Sequence, residues 1–206
     1  DMMTANTQLV DGHYQIPLPL RDRDKQFVNN KVQALQRAEH LKQKFKKSPK
    51  FEEDYKTFME AVLSNGYAEK IPSEELEGEE GKLWYIPHHG VYHPTKGKLR
   101  VVYDCAAVYR GCCLNDELIQ GPDLTNSLLG VLIRFRKEPI ALMADVEGMF
   151  SQVRIPKEDR DYQRFLWWPD GDSDQPLAEY RMNVHIFGAT SSPACANYAL
   201  LRTAQD

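Results

Sequence analysis

Cysteine is scarce, with four in 206 residues. They stand at Cys105, Cys112, Cys113 and Cys195. A vicinal pair is a poor frame for disulfides, so a disulfide-stapled secreted scaffold is excluded, and a reducing intracellular compartment fits best. A zinc site would have to combine Cys105, Cys112 and Cys113 with His88 or His89. No C-x2-C pair supports it, and the cysteines read as buried or half-buried free thiols. Long apolar runs are missing too: none approaches the roughly 20 residues of a spanning helix, so no membrane partner is expected. The N-terminal DMMTANTQLVDGHYQ has no basic start followed by an apolar block, so a secretory signal is not expected. No G-x-G-x-x-G, P-loop, H-E-x-x-H or nucleophile-elbow pattern occurs, which leaves dinucleotide-binding, P-loop and zincin chemistry without support. There is no internal repeat.

What is present is an ordinary globular composition, 42% apolar and 27% charged, with a formal net charge of -4. That average argues against a whole-chain electrostatic grip on nucleic acid. It hides a split. Residues 21–50 hold ten Lys/Arg against three Asp/Glu, and residues 51–80 hold two against ten. Any polyanion site must be local.

GHYQIPLPL reads as a strand ended by its prolines. Phe27 to Lys47 predicts a helix with Val28, Val32, Leu35, Leu41 and Phe45 on one stripe. Its basic end, Lys42 to Lys47, is either a solvated face favoured by the helix dipole or a phosphate track. Ser48, Pro49 and Glu52 open a second helix, and Asn65-Gly66 stops it. SEELEGEEG (73–81) reads as a solvated acidic loop. LWYIP followed by GVYHPTKGKLRVVYD predicts a hairpin turning at 94–97. Asp123 or Thr125 is placed to cap a helix carrying Leu128, Leu129, Leu132, Ile133 and Phe135. The nearly all-apolar IALMADV reads as a strand buried on both faces. RFLWW and LAEYRMNV predict a second hairpin, and SSPACANYALLRTA a helix capped by Ser192. The mixed order predicts an α+β fold, an antiparallel sheet with packed helices.

Three places can carry chemistry, and each has a plainer alternative. Asp145 ends an apolar strand beside Glu147 and Gly148, an arrangement that can hold Mg2+ or merely cap a turn. Arg100, with Lys96 and Lys98 beside a glycine turn, can close over a triphosphate or simply blunt an exposed hairpin. FGATSSP enters a helix through Ser-Pro and suits a phosphate or a base pair, or is a plain loop.

Their order resembles a right-hand polymerase. The chain is most similar to the reverse transcriptases of Pao/BEL-type long-terminal-repeat retrotransposons, in DGHYQIPLPLR, NGYAEKIP, WYIPHHGVYHP, KLRVVYDCAA, LNDELIQGPDLTNSLLGVLIRFR, ADVEGMFSQVRIPKEDRDYQRFLW and FGATSSPACAN. Over these seven collinear blocks the resemblance covers nearly the whole chain, from about residue 11 to residue 199. The resemblance implies fingers over residues 1–139 and a partial palm over 140–206. It implies that Asp145 is the first metal-binding aspartate, with the carbonyl of Val146 beside it. Two Mg2+, or Mn2+ in their place, would serve the intact enzyme. Gly148 and Met149 would face the triphosphate, and Phe150 would be the aromatic gate against a ribose 2'-hydroxyl. Arg100, with Lys98 and Lys96, would hold phosphates. Gly188 and Pro193 would shape the loop under the templating pair, and Phe187 and Gly188 would belong to the nucleotide-binding set. The implied partners are an RNA template, a DNA primer, deoxynucleoside triphosphates and the remaining polyprotein domains, in a cytoplasmic retrotransposon particle.

The sequence departs from retroviral enzymes in two places. Phe187 stands where they carry glutamine, and His93 replaces their fingers lysine. The family supplies its further carboxylates from an x-x-Asp-Asp hairpin, and this chain has no Asp-Asp dipeptide. The expectation is therefore a polymerase region inactive by itself. The alternative is a catalytically inactive remnant that binds nucleic acid or acts as a scaffold.

Overall fold

The computed structural model describes residues 6–95 and 97–206. Lys96 of the basic hairpin lies outside the described residues. The architecture is α+β, with three small antiparallel sheets among helices. No helix among the described residues is long and apolar enough to cross a membrane.

Strand β1 (Gln8–Val10) pairs with β2 (His13–Gln15). Asp11 and Gly12 join them, both at positive φ (50° and 77°), as a two-residue turn matching strand twist demands. Beyond β2 the prolines forbid a ladder, and Ile16 to Leu20 is tied down one group at a time. The Asp159 carboxylate accepts from the Leu18 amide at 2.7 Å, and the Ile119 amide donates to the Pro19 carbonyl at 2.8 Å.

Helix α1 spans Lys31–Lys47 and α2 spans Pro49–Ser64. The buried stripe of α1 is Ala34, Ala38, Leu41 and Phe45. Those positions fall within a narrow arc at 100° per residue, whereas Val28, Val32 and Leu35 point elsewhere and are exposed. The expected stripe is thus corrected in part: Leu41 and Phe45 face the core as expected, and Ala34 and Ala38 join them in place of Val28, Val32 and Leu35. The expected start at Phe27 moves to Lys31 because Asn30 is used otherwise. Its amide donates to the Tyr85 carbonyl and its oxygen accepts from the Tyr85 amide, both at 2.7 Å, so it copies a strand edge. Helix α2 begins as expected, with the Ser48 hydroxyl accepting from the Phe51 amide and Pro49 in its first turn. Gly66 (φ 70°) follows its end.

Sheet β3-β7-β6 joins β3 (Ala68–Lys70), β7 (Ala178–Met182) and β6 (Arg164–Trp167). Hairpin β4 (His88–Tyr92) and β5 (Leu99–Tyr103) forms the basic arm. LWYIP is not part of that hairpin. It runs beside β6, with the Ile86 amide donating to the Arg164 carbonyl at 2.7 Å. Between these layers lies one apolar cluster, including Phe45, Tyr55, Trp84, Tyr103, Phe165 and Trp167, drawn from both sides of residue 139. The acidic loop is anchored rather than merely solvated. The fully buried Arg164 donates to the carbonyls of Leu76 and Glu75 at 2.6 and 3.0 Å, and Arg181 pairs with the Glu75 carboxylate at 2.7 Å. Buried guanidinium groups require such saturation.

The short helix α3 spans Leu114–Glu117 and α4 spans Leu128–Phe135. Ser127, not Asp123 or Thr125, caps α4, its hydroxyl accepting from the Gly130 amide at 3.1 Å. Asp123 closes a local turn on Thr125 instead. None of the residues of α4 is buried. The expected strand at IALMADV does not form: residues 140–146 are irregular and exposed, with Leu142 and Met143 at 89% and 88%. An apolar run becomes a buried strand only where ladder partners and covering layers exist, and no described strand lies against it. Helix α5 (Ser192–Gln205) closes the chain. Its cap position is Ser191 rather than Ser192, and neither hydroxyl has a partner among the described residues.

Candidate functional site

The loop at FGATSSP is pinned in place by glycine. Gly188 has φ 115°, and a Cβ there would lie 2.1 Å from the Tyr103 carbonyl oxygen at the end of β5. Only a residue without a side chain permits that approach. Asn115 of α3 completes the clamp. Its amide donates to the Gly188 carbonyl at 3.0 Å, and its oxygen accepts from the Thr190 amide at 2.9 Å.

From this loop Phe187 projects outward, 67% exposed. Its ring centroid is 4.8 Å from that of Phe150. Phe150 follows Gly148, whose backbone is left-handed (φ 58°, ψ 41°) and starts a 3-10 turn over Met149–Gln152. A Cβ at Gly148 would meet nothing closer than 3.8 Å. Conformation, not space, therefore selects glycine there. The turn presses Met149 and Phe150, both half-buried, against Ile16, Val153, Cys195 and Ala199. Its other end is held by Gln152, whose amide donates to the Glu147 carbonyl at 2.9 Å.

The fold therefore brings Met149, Phe150 and Phe187 into one patch and sets Gly188 against β5. Arg100 lies on the exposed face of that strand, opposite Val91. It is three residues before Tyr103, about 10 Å along the strand. Lys98 is exposed at the turn, its carbonyl accepting from the His93 amide at 2.9 Å. Asp145 and Val146 are exposed in the irregular segment. Among the described residues, no hydrogen bond, ion pair or ring contact joins Asp145 or Arg100 to the aromatic pair. Pro193 sits in the first turn of α5.

Several supporting residues escape sequence reading. Asn115 lies inside LNDELIQG, where only its neighbourhood to the Gly loop reveals its role. Asp159, 1% exposed, receives Arg23 at 2.8 Å as well as the Leu18 amide. His88 is packed, not exposed. Its Nε2 donates to the Leu166 carbonyl at 2.9 Å, and Nδ1 accepts from the Tyr55 hydroxyl at 2.5 Å. Burial lowers its pKa to about 4, and burial does the same for His185, whose Nε2 donates to the Ile16 carbonyl. The thiols are buried at Cys105, Cys113 and Cys195 and unbridged. Burial pushes Cys195 up to about 12 and Cys105 well above its ordinary value, so both are neutral packing groups rather than nucleophiles.

The donors around Asp145 fit an oxygen-liganded ion in part. A carboxylate and the adjacent Val146 carbonyl are hard ligands of the kind Mg2+ takes. Among the described residues, no three His, Cys, Asp or Glu side chains are grouped as a metal site. Neither protein-family models nor curated proteins yield a match to the chain.

Proposed function

We propose that the chain is the fingers and first part of the palm of an RNA-directed DNA polymerase, resembling the reverse transcriptases of Pao/BEL-type retrotransposons. The observation that carries the reading is a convergence of separate motifs. Segments 99–103, 148–152 and 187–190, far apart in sequence, meet through the Gly188–Tyr103 approach and the Phe150–Phe187 contact.

In this reading Arg100 and Lys98 bind triphosphate oxygens, where a guanidinium offers paired donors. The Gly148 turn brings Phe150 beneath the sugar, and its ring excludes a 2'-hydroxyl by bulk. Phe187 and Gly188 support the templating pair. Asp145 and the Val146 carbonyl would hold Mg2+, which when bound neutralises the developing phosphate charge. A second carboxylate pair is needed for that chemistry, and the sequence has no Asp-Asp dipeptide. The second reading is a remnant that binds nucleic acid without copying it.

The test is the binding of an RNA–DNA primer–template, followed by fluorescence anisotropy, with and without a deoxynucleoside triphosphate. Binding strengthened by the matching nucleotide supports the polymerase reading. Binding indifferent to the nucleotide supports the remnant. No binding removes both.

A further inference from the structure

Residues 138–146 are unusual for an exposed segment. From Glu138 to Val146 no backbone amide or carbonyl makes a hydrogen bond among the described residues. Ile140, Leu142 and Met143 are 79%, 89% and 88% exposed. A row of open backbone groups carrying large apolar side chains is a template for strand addition. Charge says what is added. Arg136, Lys137 and Glu138 precede the apolar stretch, a net positive charge in which Lys137 meets Glu138 only in an exposed pair at 3.5 Å, and the acidic Asp145 and Glu147 follow it. Such a segment is complementary to itself when reversed.

We propose that this segment pairs antiparallel with the same segment of a second copy of this chain, about a two-fold axis through Ala141. In that register Lys137 stands opposite the other copy's Asp145, and Ile140 opposite its Leu142, each twice by symmetry. Ala141 faces its counterpart as a non-hydrogen-bonded pair. Pro139 then also falls at a non-hydrogen-bonded position, where its missing amide proton costs no ladder bond. A slip of one residue toward the C-terminus places Glu138 against Asp145, which cancels the Arg136–Glu147 pair that it gains and loses the Ile140–Leu142 match, and so is disfavoured. The proposal does not rest on the polymerase reading. It needs only the open backbone, the apolar side chains and the charge order.

Sedimentation equilibrium of the 206-residue chain should show a reversible dimer. Lys137→Glu should weaken it at least tenfold, and adding Asp145→Lys should restore it. Ala141→Cys should form an intermolecular disulfide on mild oxidation while the parent chain, with its own four cysteines, does not. Circular dichroism of each variant controls for folding, and Leu142→Glu supplies an independent disruption. A monomer at all concentrations overturns the proposal. So does a dimer unmoved by Lys137→Glu, or one abolished only by substitutions such as Leu129→Glu on α4. Primer–template binding, measured in parallel, reports on the other reading whichever way the dimer test falls.

Discussion

A methyl group at Gly188 would have to occupy the space of the Tyr103 carbonyl oxygen, which is backbone and cannot swing aside. It would also hold a side chain at φ 115°. Gly188→Ala should therefore cost about 3 kcal/mol by urea denaturation, the sum of overpacking and left-handed strain. Gly12→Ala, where a Cβ meets nothing within 4 Å, should cost clearly less. Phe150 is a more divided case because it is half-buried against α5 as well as in tilted ring contact with Phe187. Phe150→Ala should lower stability by roughly 1–3 kcal/mol, below the range of a fully buried phenylalanine. In a polypeptide that carries the Asp-Asp hairpin, the same change should admit ribonucleotides while mostly sparing deoxynucleotides. Phe150→Tyr should change little, and Asp145→Asn should abolish both incorporations. Single-nucleotide incorporation decides it: an unchanged sugar ratio with a large fall in melting temperature makes Phe150 a packing residue only.

The elements differ in how far their sequence foretells them. Helix α2 is legible end to end because its cap, its proline and its glycine stop are local signals. In α1 Leu41 and Phe45 are legible as core residues, but the rest of the buried face belongs to Ala34 and Ala38. Alanine is selected where helix and strand approach closely, which hydrophobicity alone does not report. IALMADV fails for a different reason. A sequence shows that a segment is apolar, not whether neighbours are available to cover it. At β4, burial of His88 between Tyr55 and the Leu166 carbonyl has a consequence in acid. The folded pKa of His88, and that of His185, is depressed from about 6.5 to about 4. Folding therefore excludes a proton that the unfolded chain accepts below pH 6.5. The stability from each neutral histidine is present above pH 6.5 and is lost as pH falls toward 4, by up to about 1.4 kcal/mol per pH unit. Urea midpoints should be flat near pH 7–8 and fall between pH 6 and 4.5. His88→Gln, if it folds, should roughly halve that slope; an equal slope would mean that His88 does not drive the loss.

At the scale of the whole molecule, the α+β class and the two main hairpins follow from alternation and turn chemistry. The meeting of β5, Phe150 and the Gly188 loop does not, because it depends on the Phe150–Phe187 and Tyr103–Gly188 contacts, 37 and 85 residues apart in sequence. The Asn115 clamp is equally invisible, since its partners Gly188 and Thr190 lie more than seventy residues away. The chain should give no template-dependent product with Mg2+ or Mn2+ in primer extension; product above trace level would refute the need for further carboxylates. The most direct test of the central claim is the salt dependence of primer–template affinity, for the parent chain and for Lys98→Ala/Arg100→Ala. The account predicts weak, salt-sensitive binding whose log–log slope shrinks by about one for each phosphate contact removed. An affinity and slope that the double substitution leaves unchanged would contradict it.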